Sequence, residues 1–267
     1  MFVKKLLGTV ATLGVGGLVG VVVERKRRNE VNAAGVDRPN QIMRYGFPTN
    51  SNLKVRSNYV LSYDRRNRNP NWVFEHLNID IIKKTKDSIE RDQLAFTEDS
   101  SIPGWFRSTN RDFAKSGFDR GHMAAAANHN AQATWKADTF YLSNIVPQHP
   151  HMNQHAWNNL EKYVRSLCHH NDNVYVCTGP LYLPRKEADG RMFVTYQVIG
   201  DNHVAVPTHL FKVILTEKKG RYTLRSYMMP NHYIDPSIPL EQFKCSLENI
   251  ERAAGFFVFP QLKAEIH

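Results

Sequence analysis

Apolar residues recur at intervals of three and four between Ala156 and Leu167, and this spacing predicts an amphipathic helix. The apolar face is formed by Ala156, Trp157, Leu160, Val164 and Leu167. A second helix is predicted from Leu247 to Ala254, because Gly255 follows it at the position where glycine is favoured as a helix C-cap.

Most other patterned segments have the apolar and aromatic content of β-strands. They are residues 59–64, 72–77, 173–178, 192–199, 203–206, 210–216 and 222–229. Asn69-Pro70-Asn71 predicts a turn between the first two strands, and Lys218-Lys219-Gly220 predicts one between the last two. Residues 83–110 are polar and are expected to be loop-rich. The sequence therefore predicts an α+β fold, a central antiparallel sheet with flanking helices.

The N-terminal end has a different composition. Residues from Leu6 to Val23 carry no charge, and their number is borderline for a membrane span. A secretory signal shares this pattern, but the basic residues that follow favour a mitochondrial signal-anchor. We therefore divide the chain into a targeting or membrane-anchor segment (1–28), a basic irregular linker (29–57) and a single folded domain (58–267).

Charge and cysteine content narrow the class of protein. The formal net charge is +10, and residues 24–68 hold eleven Lys or Arg against four Asp or Glu. This surplus indicates a polyanionic partner such as nucleic acid, although a basic stretch is often only a solvated face. The three cysteines fit neither a disulfide framework nor a zinc finger, so free and mostly buried thiols are expected.

The candidate chemistry lies in Asp119-Arg120-Gly121-His122, together with Asn153 and Glu161. A neutral imidazole can accept a proton from water, and an amide oxygen is a hard ligand suited to Mg²⁺. Each residue also has an ordinary interpretation, because a lone histidine is more often structural and an asparagine at a helix start is a common N-cap. The combination favours hydrolysis of a phosphodiester with one metal ion.

A second histidine group offers another interpretation. His149, His151 and His155 have spacing that could hold zinc if the segment were helical. Pro150 and the missing fourth ligand argue against it, so these residues, together with His129, are expected to be surface groups beside a phosphate-binding cleft.

Several segments resemble the DNA/RNA non-specific endonucleases of ββα-metal fold. The resemblance is carried by the DRGH motif in residues 116–129, by 139–144 and 153–161, and by 174–181, 196–200 and 203–209. It extends from about Asn58 to Pro260. Asp119 favours the mitochondrial endonucleases of this family over an exonuclease-type mitochondrial paralogue, which usually has serine there.

The resemblance implies a role for each matching residue. His122 corresponds to the general base, Asn153 to the side chain bound to Mg²⁺, and Glu161 to the residue holding the waters of the metal. Asn144 corresponds to a position that orders this site. Arg120 is expected to contact the scissile phosphate, and Arg107 is a further candidate. Asp119 is expected to support its loop and the neighbouring arginine.

The resemblance also implies a cofactor, products and partners. The cofactor would be Mg²⁺, with Mn²⁺ as an alternative, and the products would have 5′-phosphate and 3′-hydroxyl ends. The substrates would be DNA and RNA, read with weak sequence preference. A homodimer is implied, as is a mitochondrial location (intermembrane space or inner membrane) with an apoptotic role in the nucleus after release. A catalytically silent nucleic-acid-binding protein and a membrane-anchored interaction protein remain as alternatives.

Overall fold

A computed structural model describes residues 37–262. The chain divides into two units, residues 1–40 and 41–267. In the first unit, the described residues 37–40 are helical. The proposed anchor from Leu6 to Val23 lies outside the described residues. Between residues 37 and 262, no helix is both long enough and apolar enough to cross a membrane.

The second unit is built on a six-stranded antiparallel sheet. In order across the sheet, its strands are β1 (Leu53–Val55), β2 (Tyr59–Asp64), β3 (Asn69–Leu77), β6 (Asn173–Leu181), β11 (His209–Lys218) and β12 (Arg221–Pro230). Three two-stranded ribbons accompany the sheet. They pair β4 (Asp119–His122) with β5 (Ile145–Gln148), β7 (Arg185–Lys186) with β8 (Met192–Phe193), and β9 (Val198–Ile199) with β10 (Val204–Ala205).

The helices are short and lie at the ends of strands or in the connections between them. The α-helices are α1 (Asp37–Ile42), α2 (Ile79–Ile82), α3 (Asn110–Phe113), α4 (Ala133–Asp138), α5 (Pro150–Met152), α6 (Asn158–Leu167) and α7 (Leu247–Ala254). A π turn, Asn153–Trp157, joins α5 to α6, and we call α5, the π turn and α6 together the site helix. Single 3₁₀ turns are Arg91–Gln93, Gly104–Phe106, Ala126–Asn128, Leu142–Asn144 and Leu240–Phe243.

The sheet separates two hydrophobic cores because successive side chains on a strand point to opposite faces. The site-side core packs Trp157, Leu160 and Val164 of the site helix against one face. The far-side core covers the other face with aromatic and aliphatic residues from both ends of the described chain, including Tyr45 and Phe259. The fold is α+β, as predicted.

Much of the predicted secondary structure is confirmed, including the strands within 59–64, 72–77, 173–178, 210–216 and 222–229 and the helix 247–254. Gly255 has a φ of 77°, as a C-cap glycine requires. The predicted turn at Lys218-Lys219-Gly220 is also confirmed, with φ values of 50° at Lys219 and 73° at Gly220. The three cysteines are free, as expected, with Cys168 and Cys177 buried and Cys245 partly buried.

Three sequence predictions were wrong in part. The β2–β3 turn lies at residues 65–68, because Asn69 and Pro70 already pair with β2. Residues 192–199 form only two short strands, and most of their apolar side chains are exposed. The linker 29–57 is not irregular throughout: it contains α1 and β1, and Ile42 and Tyr45 are buried in the far-side core. Burial of these apolar side chains orders a segment that its charge and Asn content suggested was irregular.

Candidate active site

The first component of the site is the ribbon formed by β4 and β5. His122 lies opposite Ile145, and Gly121 lies opposite Val146. A Cβ atom added at Gly121 would lie 2.0 Å from Oε1 of Gln148, so a larger residue would displace that buried side chain. The glycine of the motif therefore allows the close packing that places His122 at the end of its strand.

The second component is the site helix, which begins at Pro150, six residues before the predicted start. Asn153 is therefore not an N-cap: it is the first residue of the π turn, and its backbone N–H donates to the carbonyl of His149 at 2.9 Å. The alternative interpretation of Asn153 was wrong because proline fills the first helical position upstream. π turns are frequent at functional sites.

Asp119 connects the two components. Its Oδ2 accepts hydrogen bonds from Nδ2 of Asn153 at 2.9 Å and from Nε2 of Gln154 at 3.0 Å. Because a carboxylate only accepts, the amide nitrogen of Asn153 must face Asp119, which leaves its Oδ1 for another ligand. The sequence suggested that Asp119 supports its own loop and Arg120, whereas its contacts here are to the site helix.

His122 occupies an aromatic pocket. Its ring centroid lies 5.3 Å from that of Phe96 and 4.9 Å from that of Phe140. The Nε2 atom is buried and has no hydrogen-bond partner among the described residues. Burial lowers the pKa of His122 to about 3, and the positive charge of Arg91 acts in the same direction. The imidazole is therefore neutral at physiological pH, and one of its ring nitrogens carries a free lone pair.

Glu161 lies two turns along the site helix from Asn153. Burial raises the pKa of this carboxyl to about 7, while Lys212 and Arg165 partly oppose the rise. A cation bound near this carboxyl group would stabilise its ionised form and lower its pKa.

His122, Asn153, Glu161 and Arg120 line a single cleft of about 310 Å³. The guanidinium of Arg120 lies over the rings of Phe96 and Phe113, and its Nη2 donates to the carbonyl of Asn110 at 2.9 Å. Burial lowers the pKa of Arg120 below its ordinary value, which identifies a desolvated cation. Pairing with a phosphate would stabilise the charge of this guanidinium, which burial has removed from water.

Two further cations in the cleft were missed by sequence reasoning. Arg91 lies within the polar segment 83–110, and its guanidinium is 4.5 Å from the ring centroid of Phe140. Lys136 is buried, with Nζ donating to the carbonyl of Ile89 at 2.8 Å. No sequence signal distinguished Arg91 from the other basic residues of the chain. Lys136 occupies the buried face of the short α4, and a lysine on such a face is the only hint available.

Neither Asn144 nor Arg107 lines this cleft. The buried amide of Asn144 bonds both the N–H and the carbonyl of Ala124, at 2.9 and 3.0 Å, and also the carbonyl of Thr139. Asn144 therefore fixes the chain that follows His122. Arg107 is not among the residues that line the cleft, and its Nη2 lies 3.6 Å from Oε2 of Glu98. Its proposed phosphate contact stays a prediction.

A buried polar network lies between the cleft and the sheet. Oε1 of Glu75 on β3 accepts from Nδ2 of Asn128 at 2.9 Å and contacts Nε2 of His129 at 3.0 Å. Oδ1 of Asn128 in turn accepts from Nη1 of Arg165, on α6, at 3.1 Å. His129, expected at the surface, is fully buried. A glutamate in the middle of an apolar strand was the signal that could have revealed this network.

His151 and His155 are not arranged as zinc ligands. The rings of His151 and His155 stack at 4.3 Å, and Nδ1 of His155 donates to the carbonyl of His151 at 2.9 Å. In the described part of the chain, no group of three or more His, Cys, Asp or Glu side chains could hold a metal ion. A metal at this site would therefore depend on the amide oxygen of Asn153 together with water.

Known proteins resemble this chain in sequence and in fold. The model of the DNA/RNA non-specific endonuclease family matches residues 38–265. Human mitochondrial endonuclease G is 48% identical over 279 residues, which cover 95% of this chain and 93% of the relative. The bovine protein of the same name is 53% identical over 227 residues, which cover 85% and 75%. A crystal structure of the EndoG/EndoGI complex contains a chain that is 50% identical, with a TM-score of 0.82 over 84% of this chain and 92% of that one.

Proposed function

The chain belongs to the DNA/RNA non-specific endonuclease family and is a nuclease, and from that premise we propose that its cleft hydrolyses phosphodiester bonds with Mg²⁺ as cofactor. The products would carry 5′-phosphate and 3′-hydroxyl ends. The observation that carries this proposal is the meeting of His122 from β4 with Asn153 and Glu161 from the site helix in one cleft.

The donor set fits a hard cation. Asn153 would hold Mg²⁺, or Mn²⁺ in its place, through the Oδ1 atom that Asp119 leaves available, and Glu161 would hold water molecules of the cation. The chemistry expected of the bound cation is neutralisation of charge on the phosphate and on the leaving oxygen. Asp119 would act here as a positioning residue because it fixes the orientation of the Asn153 amide.

His122 would act as the general base. Its neutral ring offers a nitrogen lone pair to the proton of the attacking water, and Phe96 and Phe140 pack against the ring. A bound phosphate would raise the pKa of the ring from its low value in the free protein, because a nearby anion favours the protonated form. Arg120 would bind the scissile phosphate, and Arg91 and Lys136 would add to the positive lining of the cleft. Contacts to phosphate position a substrate without reading its bases, which supports weak sequence preference on both DNA and RNA.

The test is the nicking of closed circular plasmid with Mg²⁺ and with EDTA. His122→Ala and Asn153→Ala should each lower the rate by about a hundredfold or more, whereas the exposed control His170→Ala should nick normally. A closed circle has no ends, so an enzyme that required free ends would leave it intact. Unchanged nicking by His122→Ala would refute the assignment of the base. Binding without nicking under any divalent cation would instead support the catalytically silent alternative.

A homodimer is the second part of this proposal. Met192, Phe193, Val194, Tyr196 and Val198 are 38–58% exposed and form an apolar strip around β8. Contiguous exposed apolar patches on a soluble domain mark interaction surfaces. In light scattering, Val194→Asp should convert a dimer into a monomer, and Val55→Asp, equally exposed on β1, should not. A monomeric wild type would refute this part.

The mitochondrial location is the third part. It is supported by the names of the related proteins and by the uncharged stretch from Leu6 to Val23, which could also act as a membrane anchor. A full-length fusion should fractionate with mitochondrial membranes and reach the nucleus after release. Removal of residues 1–28 should abolish mitochondrial retention.

A further inference from the structure

The π turn changes the angular relation between Asn153 and Glu161. In a regular α-helix, eight residues advance about 80° beyond two full turns, which would separate the two side chains. A π turn accommodates one extra residue. Eight residues that include the π turn therefore advance around the helix axis by roughly the angle of seven α-helical residues. That angle is within about 20° of two full turns. Asn153 and Glu161 can thus face the same cleft, which both of them line.

Lys212 contacts this turn from the side of the sheet. It is on β11, an interior strand between β6 and β12, and it is 1% exposed; its Nζ donates to Oγ1 of Thr178 at 2.6 Å. The same Nζ lies 4.9 Å from the ring centroid of Trp157, the last residue of the π turn. A desolvated ammonium group on a tryptophan face is a strong form of cation–π contact.

Stability alone does not account for a buried lysine at this position. Replacing a buried charge with an apolar residue of similar volume is often neutral or stabilising. Lys212 contacts the turn that carries the metal-binding amide, and Glu75, the buried acid on the same sheet face, is bonded to Asn128 and His129. Lys212 therefore contacts the site helix, whereas Glu75 bonds the segment that ends the 3₁₀ turn Ala126–Asn128.

We propose that Lys212 is a positioning residue for the metal site: it holds Trp157, and through Trp157 the π turn, so that Asn153 and Glu161 face one cleft. This inference rests on the proposed function. It concerns how the site helix is held, and no substrate contact is assigned to Lys212.

The test uses Lys212→Met, which keeps most of the side-chain volume and removes the charge. We expect its urea midpoint to equal or exceed that of the wild type, while kcat falls about 10- to 100-fold, because small misplacements of reacting groups have effects of that size. The Mg²⁺ concentration at half-maximal rate should rise. Without nucleic acid, the increase in Tm caused by Mg²⁺ should be smaller than in the wild type.

The matched control is Val213→Ala, on the same strand but in the far-side core. It should lower stability while leaving kcat and the Mg²⁺-induced shift intact, so it separates lost stability from lost positioning. Wild type and Asn153→Ala are measured in parallel. If the wild type neither nicks DNA nor responds to Mg²⁺, the proposed function fails. The present inference alone fails under a different result: the wild type and Asn153→Ala behave as proposed, but Lys212→Met has the same kcat and the same Mg²⁺-induced Tm shift as the wild type.

If Lys212→Met does not fold, Trp157 provides the second comparison. Trp157→Phe retains an aromatic face, whereas Trp157→Leu removes it. Greater activity and a larger Mg²⁺-induced Tm shift in the Phe variant would support the inference. Equal values in the two folded variants would overturn it.

Discussion

Replacing Glu161 with glutamine should remove nicking activity and, at alkaline pH, stabilise the metal-free protein. The pKa of Glu161 is about 7 in the folded protein, compared with 4.5 for an ordinary glutamate. Between these values the folded state binds more protons than the unfolded state. The free energy of unfolding that this carboxyl contributes is therefore complete below pH 4.5 and is lost as the pH rises through 7.

The magnitude follows from the difference between the two pKa values, which is about 2.5. At about 1.4 kcal/mol for each pKa unit, ionisation of Glu161 costs the folded state up to ~3 kcal/mol at pH 8. This is an upper limit because the side chain is partly exposed to solvent in the cleft. Glutamine has nearly the same shape and cannot ionise, so Glu161→Gln avoids this cost.

The assay is urea unfolding in EDTA at pH 5 and pH 8. The wild type and Glu161→Gln should differ little at pH 5, and the variant should be more stable by as much as ~3 kcal/mol at pH 8. In a chain of this size that corresponds to roughly 6–12 °C in Tm. The control Glu248→Gln removes an exposed carboxyl that pairs with Arg252 and should change stability by less than about 1 kcal/mol at either pH. A variant no more stable than wild type at pH 8 would refute the reasoning.

Three further predictions concern the ribbon and its contacts. In an NMR titration of the free protein, His122 should remain neutral as the pH falls to about 4, and protonation near pH 6.5 would show that the ring is not desolvated. Asp119→Ala should raise the Mg²⁺ concentration at half-maximal nicking about tenfold, because the Asn153 amide loses its fixed orientation; a normal Mg²⁺ response would contradict this role. Gly121→Ala should lower the free energy of unfolding by about 1–3 kcal/mol, measured by urea denaturation, because its Cβ would overlap Gln148. Gly104→Ala, where an added Cβ meets no atom within 4 Å and φ is not positive, serves as the control and should change stability little.

Sequence patterns predicted the sheet and the site helix because both bury a regular apolar face. On β3, Val73 and Leu77 belong to the site-side core and Trp72 and Phe74 to the far-side core, the alternation that a strand requires. Trp157, Leu160 and Val164 are spaced as a helix requires. The start of the site helix was not predictable, because the π turn breaks the angular period that relates residues before it to residues after it. Position 153 was identified through the motif rather than through periodicity.

The sequence could not predict the cations of the cleft or the network below it. Arg91 and Lys136 reach the cleft from separate connections that only the tertiary fold brings near His122. Glu75 and Lys212 are visible in the sequence as charges within apolar strands, but their partners lie on other elements. At residues 192–198 the sequence pattern predicted too much structure. The apolar content predicted one continuous strand, whereas the structure has an exposed apolar surface there.

The placement of two cores on opposite faces of one sheet has a practical consequence for engineering this enzyme. Substitutions in the far-side core, around Phe74, Val213 and Phe259, touch neither the site helix nor the ribbon, so they can be screened for heat resistance alone. Substitutions in the site-side core change the support of Asn153 and Glu161 together with stability. A library intended to yield a durable nuclease should therefore concentrate its diversity on the far face and leave the near face unaltered.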